Sequence, residues 1–148
     1  QSEAILGKPQ VQNNAGGYGF AVDDWVRLHR FLILGSEGGT YYQTEQKLTR
    51  ENAEASLRCV KQDGQRVVHL VTDISTSGRA HKNDPAIFIL AMACGTGNSE
   101  TRKYALNALP SVCRTGTHIL HFAEYVQQFR GWDVDYAVLL EIGISHEA

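Results

Sequence analysis

No apolar run in this sequence approaches the roughly 20 residues that a membrane-spanning helix needs, so a soluble chain without a membrane partner is expected. The basic, apolar and small-residue pattern of a secretory signal is also missing. The first residue is glutamine rather than methionine, and the N-terminus reads as the edge of a fragment. Cysteine is scarce: Cys59, Cys94 and Cys113 are odd in number, far apart and set among apolar neighbours, with no Cys-x-x-Cys pair. That argues for reduced, buried thiols in a cytoplasmic protein, with a disulfide or thiolate-metal framework as the competing reading. Lys and Arg are absent after Arg130. All 14 of them lie in residues 1–130 beside 12 of the 16 acids, so a body of net charge +2 precedes a tail holding four acids.

What is present fits one domain. A chain of 148 residues can bury about two thirds of the surface its unfolded form exposes. Residues 1–17 are polar and contain Asn13, Asn14, Gly16 and Gly17, which predicts an extended lead-in. Asp23 or Asp24 can cap a helix carrying Trp25, Leu28 and Leu32, with Gly35 as its stop. Thr49 caps a second helix to about Gln62, striped by Ala53, Leu57 and Val60 and ended by Asp63 and Gly64. Gln65 to Thr76 fits a helix, although its valines also suit a buried strand. Asp84 and Pro85 open AIFILAMAC, a segment apolar on all sides and therefore central. Ser99 is the expected cap of a helix to about Cys113 that Pro110 kinks or ends. Thr117 is the expected cap of the next, lined by Phe122, Val126 and Phe129 and followed by Gly131.

Two helix pairs thus recur at about 35 residues, the length of stacked helical hairpins of the HEAT kind. The predicted fold is all-α, a partial ring of such repeats with an irregular Gly-rich loop near the N-terminus; an independent helical bundle is the competing architecture.

Several residue groups invite a chemical reading. Asp73, Ser75 and Ser77 match the Asp-x-Ser-x-Ser pattern with which von Willebrand A-type domains hold a divalent cation; the competing reading is a polar helix end running into Gly78. His118 and His121, three apart, could face one metal, but no third ligand stands at a suggestive spacing. Cys113 near His118 has the composition of a nucleophile pair, in an apolar setting that disfavours a thiolate. Arg27, Arg30, Lys47, Arg79, Lys82, Lys103 and Arg114 recur at helix ends and loops, where they can meet phosphates or simply be solvated. Tyr41, Tyr42 and Tyr104 add faces on which unpaired bases can stack. The three glycines at positions 35, 38 and 39 could cradle a phosphate, but no Gly-Lys-Ser/Thr follows them.

With these residues in view, the chain resembles the N-terminal part of the TROVE module, the RNA-binding region of telomerase-associated, Ro and vault proteins. The matching stretches are RLHRFL from Arg27, GSEGGTYY from Gly35, EQKL from Glu45, ENAEA from Glu51, Gly78-Arg79, Asp84-Pro85, Cys113-Arg114, Thr117-His118 and Gly131-Trp132. They follow the family's order and spacing from Tyr18 to Trp132. The resemblance implies a ring of HEAT-like repeats that holds Y RNA on its outside and admits single-stranded ends of misfolded RNAs at its centre. It implies a ribonucleoprotein scaffold for RNA quality control, in contact with ribonucleases, with no catalysis and no cofactor of its own. It makes Asp73 to Ser77 part of a helical repeat and the glycine loop a packing turn. Arg27, Arg30, Lys47, Arg114 and His118 are the residues expected to face RNA.

The resemblance stops after Trp132, which sets residues 133–148 apart. With an allowed choice of codons, one G restored before Asp133 converts Asp133 to Ile144 into Gly-Arg-Gly-Leu-Arg-Arg-Ala-Val-Gly-Asn-Trp-Tyr, the basic helix that family members carry there. Residues 133–148 therefore read as a frameshifted tail, expected to pack poorly.

Overall fold

A computed structural model of the chain describes residues 15–36, 49–77 and 83–147. Six helices account for nearly all of them: α1 (Ala15–Ser36), α2 (Arg50–Ser75), α3 (Asp84–Cys94), α4 (Ser99–Val112), α5 (Gly116–Gln127) and α6 (Tyr136–Glu147). The all-α expectation is met, and no strand occurs among the described residues.

At the starts of α2, α4, α5 and α6 a side chain satisfies one of the first free N–H groups, whereas Asn83 before α3 makes no such bond. Thr49 accepts from the Asn52 N–H and caps α2 as expected. At the next three starts the cap lies one or two residues before the expected one: Asn83 for α3, Asn98 for α4 and Thr115 for α5. Asn98 and Thr115 accept from the N–H three residues on, which Ser99 and Thr117, already inside their helices, cannot do. α1 starts at Ala15, ahead of Asp23 and Asp24, so residues 15–17 belong to a helix rather than to the extended lead-in. Asp24 is buried inside α1, where it accepts from Arg58 of α2.

Gln65 to Ser75 is helical, which resolves the choice between helix and strand. The break expected at Asp63 and Gly64 survives as a kink, with Asp63 at φ −155° and ψ 76°. Gly64 does more than punctuate. A Cβ on it would lie 2.3 Å from Thr101 Cγ2, so α2 and α4 approach through the space a side chain would fill. Asp73 to Ser77 is the end of α2 and its turn: Ser75 is buried and donates to Asn83 Oδ1 at 2.6 Å, while Ser77 donates back to the Ile74 carbonyl. The A-type alternative required a strand before these hydroxyls, and the chain builds a helix there instead.

α3 is the centre. Every residue from Pro85 to Cys94 is buried, and the helix packs against α1, α2, α4, α5 and α6. Phe88 joins three layers, meeting Phe31 of α1 edge-on at 6.5 Å, Tyr125 of α5 at 5.4 Å and Phe129 at 5.0 Å between ring centres. α1 and α2 form an antiparallel pair, since Asp24 meets Arg58 and Arg27 meets Asn52. Pro110 sits within α4, which continues to Val112. After α5 the chain turns through Gly131, whose φ of +84° few other residues adopt.

The 133–148 segment is better anchored than expected. Asp133 pairs with Lys61, the Asp135 N–H donates to the Gly95 carbonyl at 2.7 Å, and the Asp135 carboxylate accepts from the Val138 N–H. Leu139 is fully buried against Gly95. Val138, Leu140 and Ile142 are half-buried and do not share one face of α6, although Leu140 and Ile142 pack against the core.

Candidate nucleic-acid interface

Arg27 and Arg30 stand three apart on the exposed side of α1. Burial of Trp25, Leu28, Phe31 and Leu32 against the core turns both arginines outward. One guanidinium nitrogen of Arg27 donates to Asn52 Oδ1 at 3.0 Å, which ties the side chain to the first turn of α2. An arginine so held retains its charge and several donors, and little rotamer entropy is lost when it meets a phosphate.

Arg114 and His118 lie elsewhere, at the junction of α4 and α5. Arg114 is exposed, yet its Nη1 donates to the Ser111 carbonyl at 2.6 Å and reaches Ser75 Oγ at 3.4 Å. Beneath it, Asn83 accepts from Ser75 and donates to the Val112 carbonyl at 2.5 Å. The ends of α2 and α4 and the start of α3 are thereby joined, and Arg114 is part of the joint. Its own N–H donates to His118 Nδ1 at 3.0 Å. A ring nitrogen that accepts leaves the proton of the neutral imidazole on Nε2. Burial first, then the charges of Arg114 and His121, hold the His118 pKa below the ordinary histidine value, opposed in part by Asp84. His118 is therefore a neutral Nε2–H donor near pH 7 rather than a cation.

The structure does not bring the nominated residues into one patch. Arg27 touches the first turn of α2 and Arg114 its last, 23 positions apart and on opposite sides of the kink at Asp63. Lys47 lies outside the described residues, as do Gly38, Gly39, Tyr41, Tyr42, Arg79 and Lys82.

The other candidate chemistries separate. His118 Nδ1 accepts from the Arg114 N–H, while His121 Nδ1 lies 3.1 Å from Asp84 Oδ1 without a hydrogen bond to it, so the two ring nitrogens face different groups. Cys59, Cys94 and Cys113 are free and buried as expected. Burial pushes the Cys113 thiol up to about 11, which leaves almost no thiolate for nucleophilic attack near neutral pH.

Sequence reasoning missed a pairing between α2 and α4. The Tyr104 hydroxyl and His69 Nε2 are 2.7 Å apart, their rings 5.5 Å apart and tilted by 54°. Tyr104 stood out as a stacking face, but nothing in the local sequence links it to a histidine 35 positions earlier.

The TROVE domain family model matches residues 11–140, from before α1 into α6. The chain is 41% identical over 128 residues to the RNA-binding protein RO60 of Deinococcus radiodurans, covering 86% of this chain and 24% of that protein. It is 35% identical over 138 residues to the RNA-binding protein RO60 of Caenorhabditis elegans, covering 80% of this chain and 22% of that one. The chain spans about a quarter of the length of these relatives. A match over most of the sequence, carried by an all-helical fold with α3 at its centre, makes this chain a member of the TROVE domain family.

Proposed function

We propose that this chain is the RNA-binding start of a larger ribonucleoprotein scaffold, without catalysis of its own, working in the cytoplasm. Its RNA partners are small non-coding RNA of the Y class and the single-stranded ends of misfolded RNAs, in RNA quality control, with ribonucleases engaged through the assembled particle. The helix pairs α1–α2, α3–α4 and α5–α6 are the first members of a HEAT-like ring on this reading. The observation that carries it is the TROVE match over residues 11–140, joined to relatives named as RNA-binding proteins. The outward-facing Arg27 and Arg30 supply the charge such a role needs. Phosphate contacts of this kind position RNA without reading its sequence.

The test is fluorescence anisotropy with a labelled small RNA bearing a single-stranded tail, for the parent chain and for Arg27→Ala with Arg30→Ala. The double variant is expected to bind more weakly by a similar factor for tails of different sequence. Unchanged affinity at low salt would remove these arginines from the interface, and a loss confined to one tail sequence would contradict their role as backbone contacts.

A further inference from the structure

Between the second half of α2 and the start of α4 lies an open groove of about 270 Å³, lined by Gln65, Ser99, Glu100, Lys103, Tyr104 and Asn107. That is just under the ~300 Å³ at which ligand pockets begin, so the space admits no more than one nucleotide. Its floor is fixed by the close approach of the two helices where Gly64 meets Thr101, the residues next to Gln65 and Glu100. One side is aromatic: Tyr104 is half-buried, and His69 sits against it with its Nε2 on the tyrosine hydroxyl. The polar rim is unspent. None of Gln65, Ser99, Glu100, Lys103 and Asn107 makes a side-chain hydrogen bond or ion pair among the described residues, although Glu100 and Lys103 stand only one turn apart.

An aromatic face, a lone ammonium and amide and carboxylate groups in one nucleotide-sized groove are the components with which proteins hold an unpaired base. We propose that this groove holds one unpaired nucleotide of bound RNA, with its base against Tyr104 and its phosphate on Lys103. The edge of the base meets Gln65, Glu100 and Asn107. A carboxylate only accepts hydrogen bonds, so Glu100 meets the donor-rich exocyclic amine of cytosine or adenine more readily than uracil, whose edge offers only its ring N3–H. This inference rests on the RNA-binding reading above and adds a site distinct from Arg27 and Arg30.

The experiment measures binding of labelled C6, A6 and U6 RNA hexamers to the full chain at low salt, with 5′-CMP as competitor. The variants are Tyr104→Ala, Tyr104→Phe, Lys103→Gln and Glu100→Gln, each checked for unchanged helix content by circular dichroism. Loss of one stacked base corresponds to a fall of roughly 5-fold to more than 100-fold, expected for Tyr104→Ala, while Tyr104→Phe keeps the ring and stays near the parent. Lys103→Gln is expected to weaken all three hexamers, and Glu100→Gln to narrow the preference for C6 and A6 over U6. If the parent binds RNA but Tyr104→Ala and Lys103→Gln bind as well as it does, the groove is not the site, and the broader RNA reading stands. If Tyr104→Phe loses as much as Tyr104→Ala, stacking is refuted. CMP binding as tightly as C6 would assign the groove to free nucleotides and overturn the RNA assignment. A parent chain that binds none of the hexamers removes both readings.

Discussion

Asp24 ties the first two helices together through one guanidinium. Its carboxylate is buried and accepts from Arg58 Nε at 2.8 Å and Nη2 at 2.9 Å, a two-pronged contact that raises the Arg58 pKa further. In the sequence Asp24 has the look of a helix cap, because the residue that employs it stands 34 positions away. His118 likewise carries a property no local pattern displays. Since its folded-state pKa lies below the unfolded value near ~6.5, the unfolded chain takes up the proton first. Stability from keeping the ring neutral is thus complete above about pH 6.5 and is lost as pH falls through the lower folded-state value. Urea midpoints at pH 7.5 and pH 5 are expected to fall more for the parent than for His118→Gln. Equal falls would mean that His118 titrates alike in both states.

Among elements, α3 was the most legible, since AIFILAMAC has no polar side to give to water and every residue from Pro85 onward is buried. The caps were harder to place. Thr115 and Thr117 flank one glycine in RTGTH, and only the geometry of the first turn shows that Thr115 reaches the His118 N–H. Gly64 was legible as a break but not as a contact, because its neighbour Thr101 comes from another helix. Gly64→Ala is expected to destabilise the fold by about 1–3 kcal/mol through overpacking, with Thr101→Ala relieving part of the loss. Additive effects in a double-mutant cycle by denaturant unfolding would show that the two do not meet. α6 raises a separate question. It caps itself with Asp135 and buries Leu139, yet leaves Val138, Leu140 and Ile142 half-exposed, without the one-sided stripe of a surface helix. We propose that this segment is the frameshifted form of a basic helix. Resequencing the locus is expected to give codons after Trp132 that read Gly-Arg-Gly-Leu-Arg-Arg when one base is restored; codons that cannot do so end the proposal.

At the level of the whole molecule, the family was readable from short motifs kept in order, and the all-α fold from helical periodicity and caps. The binding surface was readable only in part. Outward arginines on α1 follow from its apolar stripe, whereas the joint of Ser75, Asn83 and Arg114 and the pairing of His69 with Tyr104 arise from packing between distant segments. RNA binding by a mildly basic body must rest on a few phosphate contacts, since residues 1–130 carry a net charge of only +2. The most direct measurement is the affinity of the chain for a labelled single-stranded RNA across a series of salt concentrations. With about 2 to 5 phosphates neutralised, log K is expected to fall linearly with log salt at a slope of roughly −1.4 to −3.5. A folded chain that binds no RNA at low salt, or binds it with no salt dependence, would contradict the proposed function.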